Sequence, residues 1–223
     1  MNASQSGFSL LEMIIVTAVI STVAGVTAPN LFSSRTMANE RAVISTLRNL
    51  GTAQTQCIAR AAVDADNDGV GEALSLPELA GRVELRTGAP ALSPNSIATS
   101  LGITQASGYV STKGYLMALY LPDANGDGVL GTAANYGSID PDNAEVAWSC
   151  LAWPMSRGRS GTSTYFTNQS GEVLVAREAN YDGLTSVPPA GAAMAGTPAQ
   201  YLMGTELAVD RAGADGNVWR VPQ

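Results

Sequence analysis

Carboxylates in two short loops are the side chains best spaced to do chemistry. The stretch DADNDGVGE sets Asp64, Asp66, Asp68 and Glu72 at near-alternating spacing, with Gly69 where the chain must turn sharply. The stretch DANGDGVLG repeats the layout with Asp123, Asn125 and Asp127, and Gly128 as the turn glycine. Calcium takes six to eight oxygen ligands, and oxygens at i, i+2 and i+4 around a glycine turn converge on one point. Both loops are therefore candidate Ca2+ sites. Neither is an EF-hand, because Ser75 and Ala134 stand at the twelfth positions and the bidentate Glu is missing. Glu72, or Asp140 and Asp142 from farther along, could complete a coordination sphere. The competing explanation is that Asp, Asn and Gly are simply good turn formers.

Other chemistry is thinner. The chain has no His, which removes His-based triads, His-containing metal sites and His proton shuttles. No nucleotide-binding loop, GxSxG elbow or metalloprotease motif occurs. Cys57 and Cys150 stand far apart and form no CxxC pair, so sulfur ligation of a metal is not indicated. They are either two free core thiols or one disulfide, and a bridge would close a loop of roughly 94 residues, about 4–5 kcal/mol in the chain-entropy model. Twelve basic against nineteen acidic residues give a net charge of −7, and the basic residues form no cluster. A nucleic-acid partner is thereby disfavoured.

One further carboxylate stands out by its surroundings. Glu12 opens a run of 22 uncharged, mostly apolar residues that ends at Arg35. Extended back to Phe8, the run is long enough to cross a hydrocarbon core of about 30 Å as a helix. A carboxylate in such a span costs roughly 2.5–3.5 kcal/mol and is usually functional. A secretory signal peptide would instead carry basic residues first, a shorter apolar region and a small-x-small cleavage site.

Residues 7–12 read GFSLLE, followed by the apolar run, with Pro29 seventeen residues beyond Glu12. This pattern resembles the cleavage and methylation motif of type IV pilins and type II secretion pseudopilins. The resemblance implies that a prepilin peptidase cuts after Gly7 and that the new amine of Phe8 is methylated. It implies that Glu12 pairs with the N-terminal amine of a neighbouring subunit during assembly, and that Pro29 kinks the helix. The leader departs from the pattern in lacking a Lys or Arg near Gly7. Physically, a buried carboxylate is tolerable when a cation meets it in a low-dielectric place, and a freed α-amine is such a cation.

These residues need elements to position them. Beyond Pro29, Val43, Leu47, Leu50, Gln54, Cys57, Ile58 and Ala61 recur at helical spacing, with Arg41, Arg48, Thr52 and Thr55 opposite. The expectation is one helix from about Phe8 to about Ala62, about 80 Å long. Its parts are a leader (1–7), a membrane-spanning or filament-core segment (8–32) and an amphipathic half (33–62), followed by a globular head (63–223). In the head, a short helix is expected at Leu76–Leu85 and strands at Gly114–Pro122 and Glu145–Pro154. Hairpins are expected at Ser163–Ala176, turning at Asn168–Gly171, and at Ala208–Val221, turning at Gly213–Gly216. Thr185–Gly204, rich in Pro, Ala and Gly, reads as loop or surface insertion. The fold class is α+β, a long N-terminal helix packed on an antiparallel sheet, pilin-like.

The leading expectation is a structural, non-enzymatic subunit. It would sit in the bacterial inner membrane as a single-pass protein, head on the periplasmic side, and then enter a pseudopilus or a cell-surface pilus. Its expected partners are the prepilin peptidase, like or related pilin subunits, the inner-membrane assembly platform and membrane lipid. Two other readings remain open: a periplasmic binding or enzymatic domain tethered by the span, and a minor, tip-located adhesin-like subunit.

Overall fold

The computed structural model describes residues 7–204 and 206–222, and within its first helix the side chains at 26–30 are not described. Helix α1 runs from Leu10 to Ala59, 50 residues, close to the expected bounds. The kink expected at Pro29 lies outside the described residues. The helix begins at a capping box: Ser9 Oγ accepts from Leu11 N–H at 3.3 Å, and Ser9 N–H donates to Glu12 Oε2 at 2.9 Å.

The two halves of α1 differ in what surrounds them. From Phe8 to Val23 ten large apolar side chains are exposed, Phe8 at 81% and Val23 still at 60%. Each would gain about 1.5–3 kcal/mol on full burial, so this half requires lipid or protein around it. In the second half Val43, Leu47, Leu50, Ala53 and Cys57 are buried while Arg41, Arg48, Thr52 and Thr55 face outward, as the spacing predicts. Among the described residues no helix is long and apolar enough to cross a membrane. On the far side of 26–30 the apolar side chains Leu31 and Phe32 are exposed as well, at 50% and 63%.

The head is built on an antiparallel sheet. Its strands are β1 (Val110–Thr112), β2 (Tyr115–Pro122), β3 (Gly128–Leu130), β4 (Ser149–Pro154), β5 (Thr164–Asn168) and β6 (Val173–Ala176). The order is β1-β2-β4-β5-β6, with β3 also pairing β2 beyond the stretch that β1 occupies. Two short strands, β7 (Arg211–Ala212) and β8 (Val218–Trp219), form a separate hairpin. The turns at Asn168–Gly171 and Gly213–Gly216 close as expected, by Gly171 N–H to Asn168 O at 3.0 Å and Gly216 N–H to Gly213 O at 2.9 Å. The first short helix, α2 (Leu76–Leu79), is shorter than expected.

Strand alternation separates two cores. Tyr115, Met117, Leu119 and Leu121 of β2 join Cys150 and Ala152 of β4 and the buried stripe of α1. Leu116, Ala118 and Tyr120, with Leu151, Trp153, Phe166 and Leu174, face the other side. That second face is covered by Ala190, Ala192, Ala193, Met194, Leu202 and Trp219. The 185–204 stretch is irregular as expected, but it is not a surface insertion. Its small residues let backbone lie flat on the sheet, so it is the lid of the second core.

A second correction concerns Glu145–Pro154. Its first residues are helical, in α3 (Pro141–Val146), and the strand begins only at Ser149. Asp140 caps this helix by accepting from Asn143 N–H at 3.0 Å, and Pro141 occupies its first turn, where a missing N–H costs nothing.

Candidate functional site

The first acidic loop is held from three sides. Its ends are joined by Glu72 N–H to Val63 O at 3.0 Å. The fully buried amide of Gln54 on α1 takes both backbone groups of Leu74, donating to its O at 2.6 Å and accepting from its N–H at 2.9 Å. Ala73 N–H donates to Ala144 O at 2.9 Å, which draws α3 against the loop. Gly71 must be glycine, because a Cβ there would meet Ile58 O at 2.1 Å.

Within this frame Asp66, Asp68, Asp142 and Glu145 come together, with one carboxylate oxygen from each lying within 4.8 Å of the others. Asp142, reached from farther along the chain, joins as the sequence suggested. Glu145 was missed, since it was read as strand. The capping signal Asp140-Pro141 would have found it, by placing Asp142 and Glu145 one helical turn apart. The remaining expected ligands do other work. Asp64 accepts from the N–H groups of Asp68 and Gly69, both at 3.1 Å. Asp140 is spent as the helix cap.

Glu72 is not in that group: its Oε1 accepts from the loop's own Ala65 N–H, and its Oε2 faces the core. There Arg86 meets Glu72 at 2.6 Å and Glu78 at 3.1 Å, with all three side chains at most 4% exposed. Arg86 also donates to Ala73 O at 2.7 Å, and Glu78 accepts from the N–H groups of Ser75 and Arg86 at 2.8 Å. The expectation of Glu72 as a ligand is corrected. A carboxylate already neutralised and hydrogen-bonded by a buried guanidinium is a structural charge.

The cluster itself repels. Glu145 is held above the ordinary carboxylate range by partial desolvation first, then by the charges of Asp68, Asp66, Asp142 and Glu72. Asp66 is raised by desolvation, opposed by the backbone N–H of Asp68, with Asp68, Asp64 and Asp142 adding to the rise. Glu145 Oε1 is buried and has no hydrogen-bond partner. Four convergent oxygens with one orphaned acceptor are what a hard, oxygen-seeking cation takes up.

The second acidic loop is a β2–β3 turn. Asp123 Oδ1 accepts from Asn125 N–H at 2.8 Å and Asp127 N–H at 3.0 Å, and Asp123 N–H donates to Asp127 O at 2.8 Å. The residue with positive φ is Gly126 (+81°), while Gly128 lies in β3, where a Cβ would meet Ala190 Cβ at 2.3 Å. The Gly128 assignment is thereby corrected. Asp123, Asn125 and Asp127 do not enter the carboxylate group.

Of the two alternatives for the cysteines, the structure holds free thiols. Both belong to the α1-side core, but Cys57 Sγ is turned to Ser96 Oγ and Arg60 Nη2, each at 3.2 Å. Burial pushes the Cys150 thiol far above its usual range. Gly7 and Phe8 precede α1 and are exposed, while Glu12 lies in its first turn, also exposed.

Residues 2–28 match the prokaryotic N-terminal methylation motif, the prepilin-type signal of type IV pilins and pseudopilins. The resemblance carried by GFSLLE is borne out over that stretch, and such a signal points to a structural protein. No curated protein and no solved structure matches the chain.

Proposed function

We propose, from a chain that carries a prepilin-type methylation signal, that this protein is a structural subunit of a helical filament, a type II secretion pseudopilus or a type IV pilus. One observation carries the reading: the signal leads into a half-helix whose apolar side chains are exposed, while the two cores of the head take in only the second half of that helix. Such a helix serves first as an inner-membrane span over 8–32. It serves afterwards as the shared core of an assembly whose head-to-tail contacts do not close. The peptidase cuts after Gly7, Phe8 is methylated, and Glu12 pairs with the amine of an adjoining copy.

The capping box sharpens the part played by Glu12. Before assembly its carboxylate is satisfied by Ser9 N–H within its own chain. Cleavage places the Phe8 amine one residue away, and a neighbour's amine competes for the same oxygens. Glu12→Ala therefore permits insertion and cleavage but leaves an unpaired cation at each contact, about 3–5 kcal/mol on the buried-pair scale. The test is filament assembly in cells, with N-terminal mass spectrometry of the product. A methylated Phe8 terminus, an uncut Gly7→Ala precursor, and cleaved but unassembled Glu12→Ala protein are expected. An intact Met1 terminus in filaments, or normal assembly of Glu12→Ala, favours the tethered-domain reading.

The carboxylate cluster supports a second, additive reading: Asp66, Asp68, Asp142 and Glu145 hold a calcium ion that ties the acidic loop to α3. The orphaned Glu145 Oε1 is the observation in its favour. A thermal shift with calcium that chelation reverses tests it.

A further inference from the structure

We propose that the cleft between Phe32, Arg35 and Arg159 binds the phosphate of an anionic phospholipid headgroup and docks the head on the membrane surface before assembly. The inference rests on the reading of 8–32 as a span. The cleft, about 680 Å³, is walled by Phe32, Arg35 and Asn39 of α1 and by the turn Gly158–Ser160. That volume falls in the range of small-ligand sites.

Its position follows from the chain. Arg35 is the first charged residue after the apolar run, and Phe32 stands one turn before it on the same face. The turn is brought to this level by α1 itself: Asn39 Nδ2 donates to Ser160 O at 2.9 Å and Thr36 Oγ1 to Arg159 O at 3.4 Å. Arg159 thus reaches the depth of Arg35, where headgroups meet the end of a span.

Its chemistry is that of an anion site. The turn satisfies its own backbone: Arg159 N–H and Ser160 N–H donate to Ser156 O at 3.1 and 2.9 Å, and Gly158 N–H to Gly161 O at 2.8 Å. With the Arg159 and Ser160 carbonyls taken by α1, the cleft presents two exposed guanidinium groups. Among the described residues neither arginine enters an ion pair. The nearby acid on α1, Glu40, is engaged by Thr162 N–H and Oγ1, both at 2.9 Å. Two uncommitted arginines at one point are notable in a chain of net charge −7. Guanidinium forks bind phosphate oxygens bidentately, and Phe32, 63% exposed, suits the glycerol and upper acyl region. A carboxylate of a second copy could also meet these arginines, but only after assembly, and a solubilised single chain would then show no lipid preference.

The test uses the full chain in two assays. Flotation on vesicles of phosphatidylcholine alone reads the span. Native mass spectrometry in detergent, titrated with phosphatidylglycerol or phosphatidylcholine, reads the cleft. The expected result is flotation on neutral vesicles and preferential retention of phosphatidylglycerol. Arg35→Gln/Arg159→Gln should weaken that retention about 20- to 30-fold, from roughly fivefold per arginine near a lipid surface. The matched pair Arg48→Gln/Arg60→Gln, roughly 20 Å and 37 Å farther along the helix, should leave it unchanged. Equal retention of the two lipids, an unchanged double variant, or displacement by inorganic phosphate overturns the headgroup site. No flotation on neutral vesicles overturns the span, and the cleft proposal with it.

Discussion

The loop at 64–72 and the turn at 123–127 carry similar runs of Asp, Asn and Gly, yet Asp66 and Asp68 of the loop join a group of four carboxylates and the residues of the turn join none among the described residues. In the turn, the Asp123 carboxylate caps backbone amides of its own segment, and α3 reaches it only through Asn143 Nδ2, which donates to Asp123 O at 2.8 Å. In the loop, Asp64 likewise caps backbone amides, but Asp66 and Asp68 meet Asp142 and Glu145 arriving on α3. What separates them is the frame: Gln54 behind, the Glu72–Arg86–Glu78 triad beneath, and the Ala73–Ala144 bond to the side. Local spacing makes a turn, and long-range packing makes a cluster.

The largest effect should come from breaking the frame. Arg86→Met leaves Glu72 and Glu78 buried without their cation, a loss of about 3–5 kcal/mol. Denaturant unfolding of the variant should show it, whereas exposed Arg82→Met should stay within about 0.5 kcal/mol. A loss from Arg86→Met no larger than that would mean the triad does not support the loop.

Calcium sharpens the comparison next. At a concentration a hundredfold above its Kd, a ligand that binds only the folded state adds about 2.7 kcal/mol. The thermal midpoint of wild type should rise with calcium and fall back on chelation. Asp142→Asn should lose most of that rise, and Asp123→Asn should keep it. The reverse pattern would move the site to the turn.

Removing the turn's own cap is a smaller change. Asp123→Ala deletes two side-chain hydrogen bonds to backbone amides, at about 1 kcal/mol in all for exposed groups. The midpoint should fall accordingly, equally with and without calcium. A calcium-dependent loss would contradict the reading of this segment as a plain turn.

The contrast between the loops also marks how far the residues alone could be read. Features set by local periodicity came through: the buried stripe of α1, the β5–β6 hairpin, and the signal at 7–12. Features set by what packs on what did not. Glu145 and Val146 sit before an apolar run and read as strand, but the cap at Asp140 and Pro141 turns them into helix. The 185–204 stretch has the composition of a loop, and only the unfilled outer face of β2, β4 and β5 explains why its alanines are buried. Glu72 has the spacing of a ligand, and a distant Arg86 claims it. Gly128 has the look of a turn glycine, and the close approach of Ala190 is what requires it.

The smallest effect is the most diagnostic of repulsion, because it needs no metal. In the folded chain Glu145 and Asp66 hold their protons above the ordinary 4.5 and 3.8. As pH rises through those values the unfolded chain gives up its protons first, so over that window the folded state binds more protons. Stability contributed by these two groups is therefore highest when both are protonated and declines as pH rises through the raised values. Glu145→Gln removes one charge from the cluster while keeping the shape of the side chain. In a chelator at low ionic strength its thermal midpoint should match wild type near pH 3, where model carboxylates are mostly protonated, and exceed it at about pH 7. Added salt should shrink the gap, since Asp66, Asp68 and Asp142, the charges that face Glu145, are exposed. Saturating calcium should invert it, because the cation turns repulsion into attraction and the variant has lost a ligand oxygen's charge. A variant less stable than wild type at neutral pH in chelator would mean that Glu145 is held by attraction, and the loop and the turn would then differ in geometry but not in electrostatics.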